Sequence, residues 1–133
     1  LIMKEYSQSL DNWIKSVDRG FYEVPYSFRA GSKSSLERGG GHQKWAKFNP
    51  DFFIKVGKDI IVVEIKSDED VNEINKAKLK YAEEHFKELN KVQTKFKYFF
   101  KFLSPQDFAQ FFEALKQKKY LEYISNLMAE LKN

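Results

Sequence analysis

The stretch Asn49-Pro50-Asp51-Phe52-Phe53-Ile54-Lys55-Val56-Gly57-Lys58-Asp59-Ile60-Ile61-Val62-Val63-Glu64-Ile65-Lys66 lies across two apolar runs, Phe48 to Val56 and Asp59 to Lys66, parted by Gly57-Lys58. A two-residue turn with glycine first joins such runs as a β-hairpin. Val56 then faces Asp59, and counting outward sets Asp51 opposite Glu64. Lys66 projects from the same face, because strand side chains alternate with period two. The other face carries Pro50, Phe52, Ile54, Val56, Ile61, Val63 and Ile65, all apolar. A one-residue slip would turn Asp51 away from Glu64 and split the apolar set between faces, which a one-sided core resists.

Two carboxylates within bridging distance suit Mg²⁺, a hard cation that prefers oxygen ligands and keeps several waters. Such an ion offsets the charge of a phosphodiester and activates water for in-line attack. A lysine beside it positions that water or stabilises charge on phosphorus. A surface salt-bridge network is the competing explanation. Against it, Glu64 and Lys66 flank Ile65 in an otherwise almost wholly apolar strand, where charge is expensive.

Working outward toward the N-terminus, Ala30 to Lys44 is rich in Gly and Ser and includes Gly39-Gly40-Gly41. It predicts a solvated, mobile loop. Its functional alternative is a basic flap closing on phosphates through Arg29, Lys33, Arg38, Lys44 and Lys47, with His42 near a phosphate. Phe21 to Phe28 alternates and predicts a strand, which Pro25 places near an edge or bulge. Asp18-Arg19-Gly20 reads as a turn. Ile2, Met3, Tyr6 and Leu10 have helical spacing, and Trp13, Ile14 and Val17 either continue that helix or begin a strand.

Toward the C-terminus, Asp68, Glu69 and Asp70 lead into a long helix marked by Ile74, Ala77, Tyr81, Ala82, Phe86 and Leu89. Lys76, Lys80, Lys87 and Lys91 fall near one side of it, and Lys78 or Lys80 is a candidate to face the Asp51–Glu64 site. His85 is expected at the surface. Lys95 to Leu103 predicts another strand. Ser104-Pro105-Gln106-Asp107 is a helix start with Ser as cap and Pro first, opening a helix whose stripe is Phe108, Phe111, Phe112 and Leu115. Leu121, Ile124, Leu127, Met128 and Leu131 mark a last helix, as core or as a dimerisation surface.

The chain has 133 residues, enough for one domain with its own core. The absence of cysteine excludes disulfides, thiolate metal sites and thiol catalysis. The formal net charge of +4 permits an anionic partner without requiring one. No apolar run reaches the length of a membrane span, and no signal-peptide pattern opens the chain. A cytoplasmic protein without membrane partners is expected.

Pro50-Asp51 and Glu64-Ile65-Lys66, in strand–turn–strand context, resemble the motif of the PD-(D/E)XK nuclease superfamily. A closer resemblance is to the C-terminal endonuclease domains of type III restriction and helicase–nuclease subunits. It rests on Trp13, Lys15, Asp18-Arg19-Gly20, Pro25-Tyr26, Asn49-Pro50-Asp51-Phe52, Glu64-Ile65-Lys66 and the Lys78 to Ala82 segment.

The resemblance implies an α/β fold with a restriction-endonuclease-like core, a central mixed sheet of about four strands flanked by helices, over residues 2 to 103. Residues 104 to 133 would be a C-terminal helical addition, and 1 to 133 a single nuclease domain cut from a longer protein. It implies Asp51, Glu64 and the backbone carbonyl of Ile65 as metal ligands, with Glu5 from the first helix as a further acid, and Lys66 as the catalytic lysine. The implied activity is Mg²⁺-dependent hydrolysis of DNA, with Mn²⁺ as a substitute and a helicase or translocase module as partner. Lys33, Arg38, His42, Lys44, Lys78 and Lys80 are the candidate nucleic-acid contacts. The alternatives are a repair, recombination or RNA-directed nuclease, or a nucleic-acid-binding module without turnover.

Overall fold

The structure, a computed structural model, describes residues 12–15 and 22–133. Its strands are β1 (Asn12–Lys15), β2 (Val24–Ala30), β3 (His42–Phe48), β4 (Phe52–Val56), β5 (Asp59–Ile65) and β6 (Lys97–Leu103). Its helices are α1 (Lys33–Glu37), α2 (Glu73–Val92), α3 (Phe108–Lys116) and α4 (Asn126–Leu131). The fold is mixed α/β. One sheet has the order β1-β4-β5-β6, and β2 and β3 form a second, two-stranded sheet. The expected helix over Ile2 to Leu10, with Glu5, lies outside the described residues. Of the two possibilities held open for Trp13 and Ile14, the strand is the one found.

The β4–β5 hairpin has the counted register. Val56 pairs with Asp59, Ile54 with Ile61 and Phe52 with Val63. Gly57 adopts φ +61°, the left-handed backbone that glycine tolerates best. β6 joins β5 in parallel, with Glu64 beside Phe102. Parallel neighbours need a crossover, and α2 supplies it.

Both sheet faces are covered. On one, Ile54, Ile61, Val63 and Leu103 pack against Phe108, Phe111, Phe112 and Leu115 of α3. This is the apolar face foreseen for the hairpin. On the other, Val62, Phe100 and Phe102 meet Leu79, Ala82 and Phe86 of α2, together with Val24, Tyr26 and Phe48 of the small sheet. The face bearing Glu64 is therefore also covered, by α2 and by the β2–β3 arm.

Four expectations need correction. Residues 30–44 are not one continuous loop: β2 and β3 pair along their full length, from Val24–Phe48 to Ala30–His42, and α1 interrupts the exposed connection between them. The turn is held by its own groups. Ser32 caps α1 by accepting the Ser35 N–H, and the Arg29 guanidinium donates to the Gly39 and Gly40 carbonyls. A Cβ on Gly41, at φ +88°, would lie 2.8 Å from the Ala30 carbonyl oxygen, so the glycine run lets the chain return close to β2.

Second, the run from Phe48 to Val56 is broken at Asn49–Asp51, and Phe48 belongs to the small sheet. Third, Ala82 and Phe86 of the expected α2 stripe are buried, and Ala77, Tyr81 and Leu89 pack against the core, but Ile74 is exposed and the buried row also takes in Asn75 and Leu79. The Asn72 cap and the Asn75 bond to the Asp70 carbonyl set that rotation. Fourth, the last helix is confined to Asn126–Leu131, leaving Leu121 and Ile124 exposed before it.

The C-terminal segment is tied to the sheet by polar groups. Asp107 accepts hydrogen bonds from the Ser104 N–H and hydroxyl, both at 2.9 Å, and from the Tyr123 hydroxyl at 2.7 Å. Lys101 donates to the Tyr123 carbonyl at 2.7 Å, and the Ser125 hydroxyl to the Phe102 carbonyl at 2.7 Å. These bonds hold residues 121–125 against the β6 edge, which would otherwise offer unpaired backbone groups.

Candidate functional site

Asp51 stands where the β4–β5 ladder ends. Its N–H donates to the Val63 carbonyl at 2.9 Å, and its carboxylate accepts the N–H of Ile65 at 2.8 Å. A side chain thus replaces a backbone acceptor at the end of the ladder, fixing the Asp51 carboxylate beside β5. Buried Pro50, which has no N–H to leave unpaired, precedes it.

Glu64 is the next residue along β5 from Val63, and only 5 % of its surface is exposed. The Asp51 carboxyl group lies close enough to act on it through a hydrogen bond and through its charge. Burial pushes the Glu64 carboxyl up to about 8; the hydrogen bond and charge of Asp51 add to the rise, and the charges of Lys78 and Lys66 oppose it. Two carboxyl groups this close cannot both ionise cheaply.

Lys66 lies just past the end of β5, half-buried, with its N–H bonded to the Leu103 carbonyl at 3.0 Å. Its charge acts on both Glu64 and Lys78. The sequence-expected trio of Asp51, Glu64 and Lys66 therefore occupies one place.

Lys78 enters the same place from α2. Its Nζ lies 3.8 Å from Glu64 Oε2, with the side chain 12 % exposed. The ammonium sits 5.1 Å from the centre of the Phe48 ring and 5.7 Å from that of Tyr26. Burial and the charge of Lys66 lower its basicity, while Glu64 and Asp51 work the other way. Lys78 is thus an inner member of the acid–lysine cluster rather than a free surface cation. Its place on the Asn75–Leu79–Ala82 stripe was the available signal. Tyr26 was not foreseen in this role: burial, and then the charge of Glu64, push its hydroxyl up.

No family model, curated protein or solved structure matches this chain.

The other candidates stand elsewhere. Lys80 is exposed, its ammonium 5.9 Å from the Tyr81 ring centre. Lys33 and Arg38 lie at α1, and His42 and Lys44 are exposed on β3, all part of the β2–β3 arm. His85 is half-buried, not a free surface residue; its Nε2 lies 2.6 Å from the Tyr22 hydroxyl, and burial lowers its basicity.

The donor set fits one hard divalent cation. Glu64 and Asp51 present adjacent carboxyl oxygens, the donor type a hard divalent cation takes, beside the ammonium groups of Lys66 and Lys78. Among the described residues no cluster of three or more His, Asp or Glu side chains is found.

Proposed function

We propose that this domain hydrolyses phosphodiester bonds of nucleic acid, DNA foremost, using Mg²⁺ held by Asp51, Glu64 and the Ile65 carbonyl, with Mn²⁺ able to replace it. The observation that carries the reading is the Asp51–Glu64 carboxyl pair, pressed together at a strand end with Lys66 and Lys78 beside it. Burying two acids against each other costs stability, and a site that takes a cation offsets that cost. The order of elements lends support: an antiparallel β1-β4-β5 meander, a crossover helix and a parallel β6 is the arrangement expected of a restriction-endonuclease-like core.

A divalent cation bound there supplies Lewis-acid activation of water and charge neutralisation at the phosphate. The chain's own groups do the rest. Lys66, at the end of β5, is placed to hold a phosphate oxygen and to stabilise the added charge as water attacks phosphorus and the ester P–O bond breaks. Lys78 orients the Glu64 carboxylate from behind. Tyr26 and Phe48 wall the site with apolar surface that limits water.

Within this reading the domain acts in the cytoplasm as the cutting module of a restriction or helicase–nuclease protein. A translocating partner would add the affinity that a net charge of +4 does not supply alone. Among the described residues no helix is long and apolar enough to cross a membrane.

A second reading has its own support. The Glu64–Lys78 ion pair partly neutralises the acid pair without any metal, as a fold that binds nucleic acid without turnover would require. Incubating plasmid and linear DNA with the protein in Mg²⁺, Mn²⁺ or EDTA separates the two. Cleavage in either metal, absent in EDTA and lost in Lys66→Ala with the fold intact, supports hydrolysis. Cleavage retained by Lys66→Ala defeats the assignment of that lysine, and no cleavage in any metal favours the silent module.

A further inference from the structure

β3 is unusual for a strand. His42, Gln43, Lys44 and Trp45 are all exposed, so both faces of its first half meet solvent, whereas β2 alongside it buries Val24, Tyr26 and Ser27. Trp45 is 64 % exposed, with Tyr81 as an edge-on neighbour at 5.8 Å. Charge is concentrated on the same arm. Residues 24–48 hold Arg29, Lys33, Arg38, Lys44 and Lys47 against the single acid Glu37, a net of +4, with Lys47 paired at 3.5 Å to Glu23 just before the range. That equals the formal charge of the whole chain, whose remaining 18 basic and 18 acidic residues cancel.

The arm is pre-formed and anchored at the acid cluster. Arg29 ties its turn through Gly39 and Gly40. At its base, Tyr26 lies under the Lys78 ammonium and feels the charge of Glu64. The register places Phe28 opposite Lys44 and Ala30 opposite His42 on the Tyr26 face. Strand rise carries that row roughly 14 Å outward from Tyr26. Edge protection alone would account for the lysines on β3. It does not account for a largely exposed indole between them.

We infer that the β3 edge is a binding track for a single nucleic-acid strand that straddles it, with phosphates on Lys33, Arg38 and Lys44 and an unstacked base on Trp45, which by strand alternation projects from the face opposite Lys44 and Tyr26. Cations interleaved with an exposed aromatic are the combination that holds unpaired strands, because every base offers a π-face. A duplex keeps its bases stacked and would meet the lysines without using the indole. The inference rests on the phosphodiesterase reading for its purpose, but its test does not.

The test is fluorescence anisotropy of the 133-residue chain in EDTA, which prevents metal-dependent cleavage, with a labelled oligothymidylate of about 20 nucleotides and a duplex of the same length. The single strand binds more tightly. Trp45→Ala weakens it by about 5- to 150-fold, at about 1–3 kcal/mol per stacked base, and barely changes duplex binding. Trp45→Phe recovers part of the loss. Lys33→Gln, Arg38→Gln and Lys44→Gln together reduce the log–log salt slope for the single strand by about 2. Circular dichroism checks that each variant folds. Equal binding of both nucleic acids with no effect of Trp45→Ala overturns the inference, as does no binding of either at low salt. Cation binding at Asp51 and Glu64 that persists without strand binding sinks the track alone; strand binding without cation binding sinks the phosphodiesterase reading alone.

Discussion

The Nζ of Lys78 lies 3.8 Å from Glu64 Oε2, a contact between the second turn of the crossover helix and the end of the central strand, with both side chains almost removed from water. Removing one partner of a buried pair is generally costly, about 3–5 kcal/mol when the other stays charged. Glu64 has an escape, since it can hold a proton. Above about pH 8, where Glu64 is ionised, Lys78→Met should therefore cost about 2–3 kcal/mol, below that range. Adding Glu64→Gln should restore most of the loss. Urea denaturation of the two single variants and the double variant measures the coupling, and strictly additive losses would count against the pair.

The raised Glu64 carboxyl sets the sign of a pH effect in metal-free buffer. The folded protein holds this proton up to about 8, against an ordinary value of 4.5. Where the folded state binds more protons than the unfolded one, stability falls as pH rises. The Glu64 contribution is thus most favourable below about 4.5, erodes between there and about 8, and is level above. Glu64→Gln should abolish that slope. Denaturation curves of both proteins in EDTA, compared across the window, provide the measurement; identical slopes would contradict it.

His85 gives the opposite slope in a different window. Burial holds its imidazole below the ordinary 6.5, and the ring shares a hydrogen bond with the Tyr22 hydroxyl at 2.6 Å. The unfolded chain takes up the proton first, so this contribution is intact above 6.5 and is lost as pH falls below it. His85→Gln should flatten the wild-type decline on that acid side. NMR titration of the ring should show a midpoint below 6.5, and a midpoint above it would contradict the burial argument.

Asp107 binds the C-terminal segment by accepting from Ser104 twice and from Tyr123 once. Asp107→Ala strands a hydroxyl and a backbone N–H in a buried place, at a cost of about 2–4 kcal/mol. Asp107→Asn, which keeps acceptor oxygen but loses the charge, should fall between the two. Thermal melts test this, and a loss under about 0.5 kcal/mol, the range of ordinary surface substitutions, would refute it.

The central hairpin was legible because three signals agreed: a glycine-led turn, alternating apolar positions, and charges that only one register gathers. Observed pairing from Val56–Asp59 to Phe52–Val63 matches the counting, and Asp51 departs from it only where its carboxylate takes over the Ile65 N–H. The Ser104-Pro105-Gln106-Asp107 start was legible for the same reason, a local chemistry with one good solution. The β2–β3 arm was missed. Glycine and serine at 31–41 look like loop composition, but the close return past Leu36 and Ala30 requires them, and the arm's stability comes from packing of Tyr26 and Phe48 far along the chain. Lys78 was only half legible, because two polar caps at Asn72 and Asn75 decide how α2 is rotated.

The central claim is that Asp51 and Glu64 form a cation site. Titration of the metal-free protein with Mn²⁺ at about pH 8, the value to which Glu64 is raised, followed by calorimetry and by the electron paramagnetic resonance of the free ion, tests it most directly. The account predicts one bound ion in the wild type, with proton release, and none in Asp51→Asn or Glu64→Gln. A wild type that binds no ion, or binding that survives both substitutions unchanged, would contradict it.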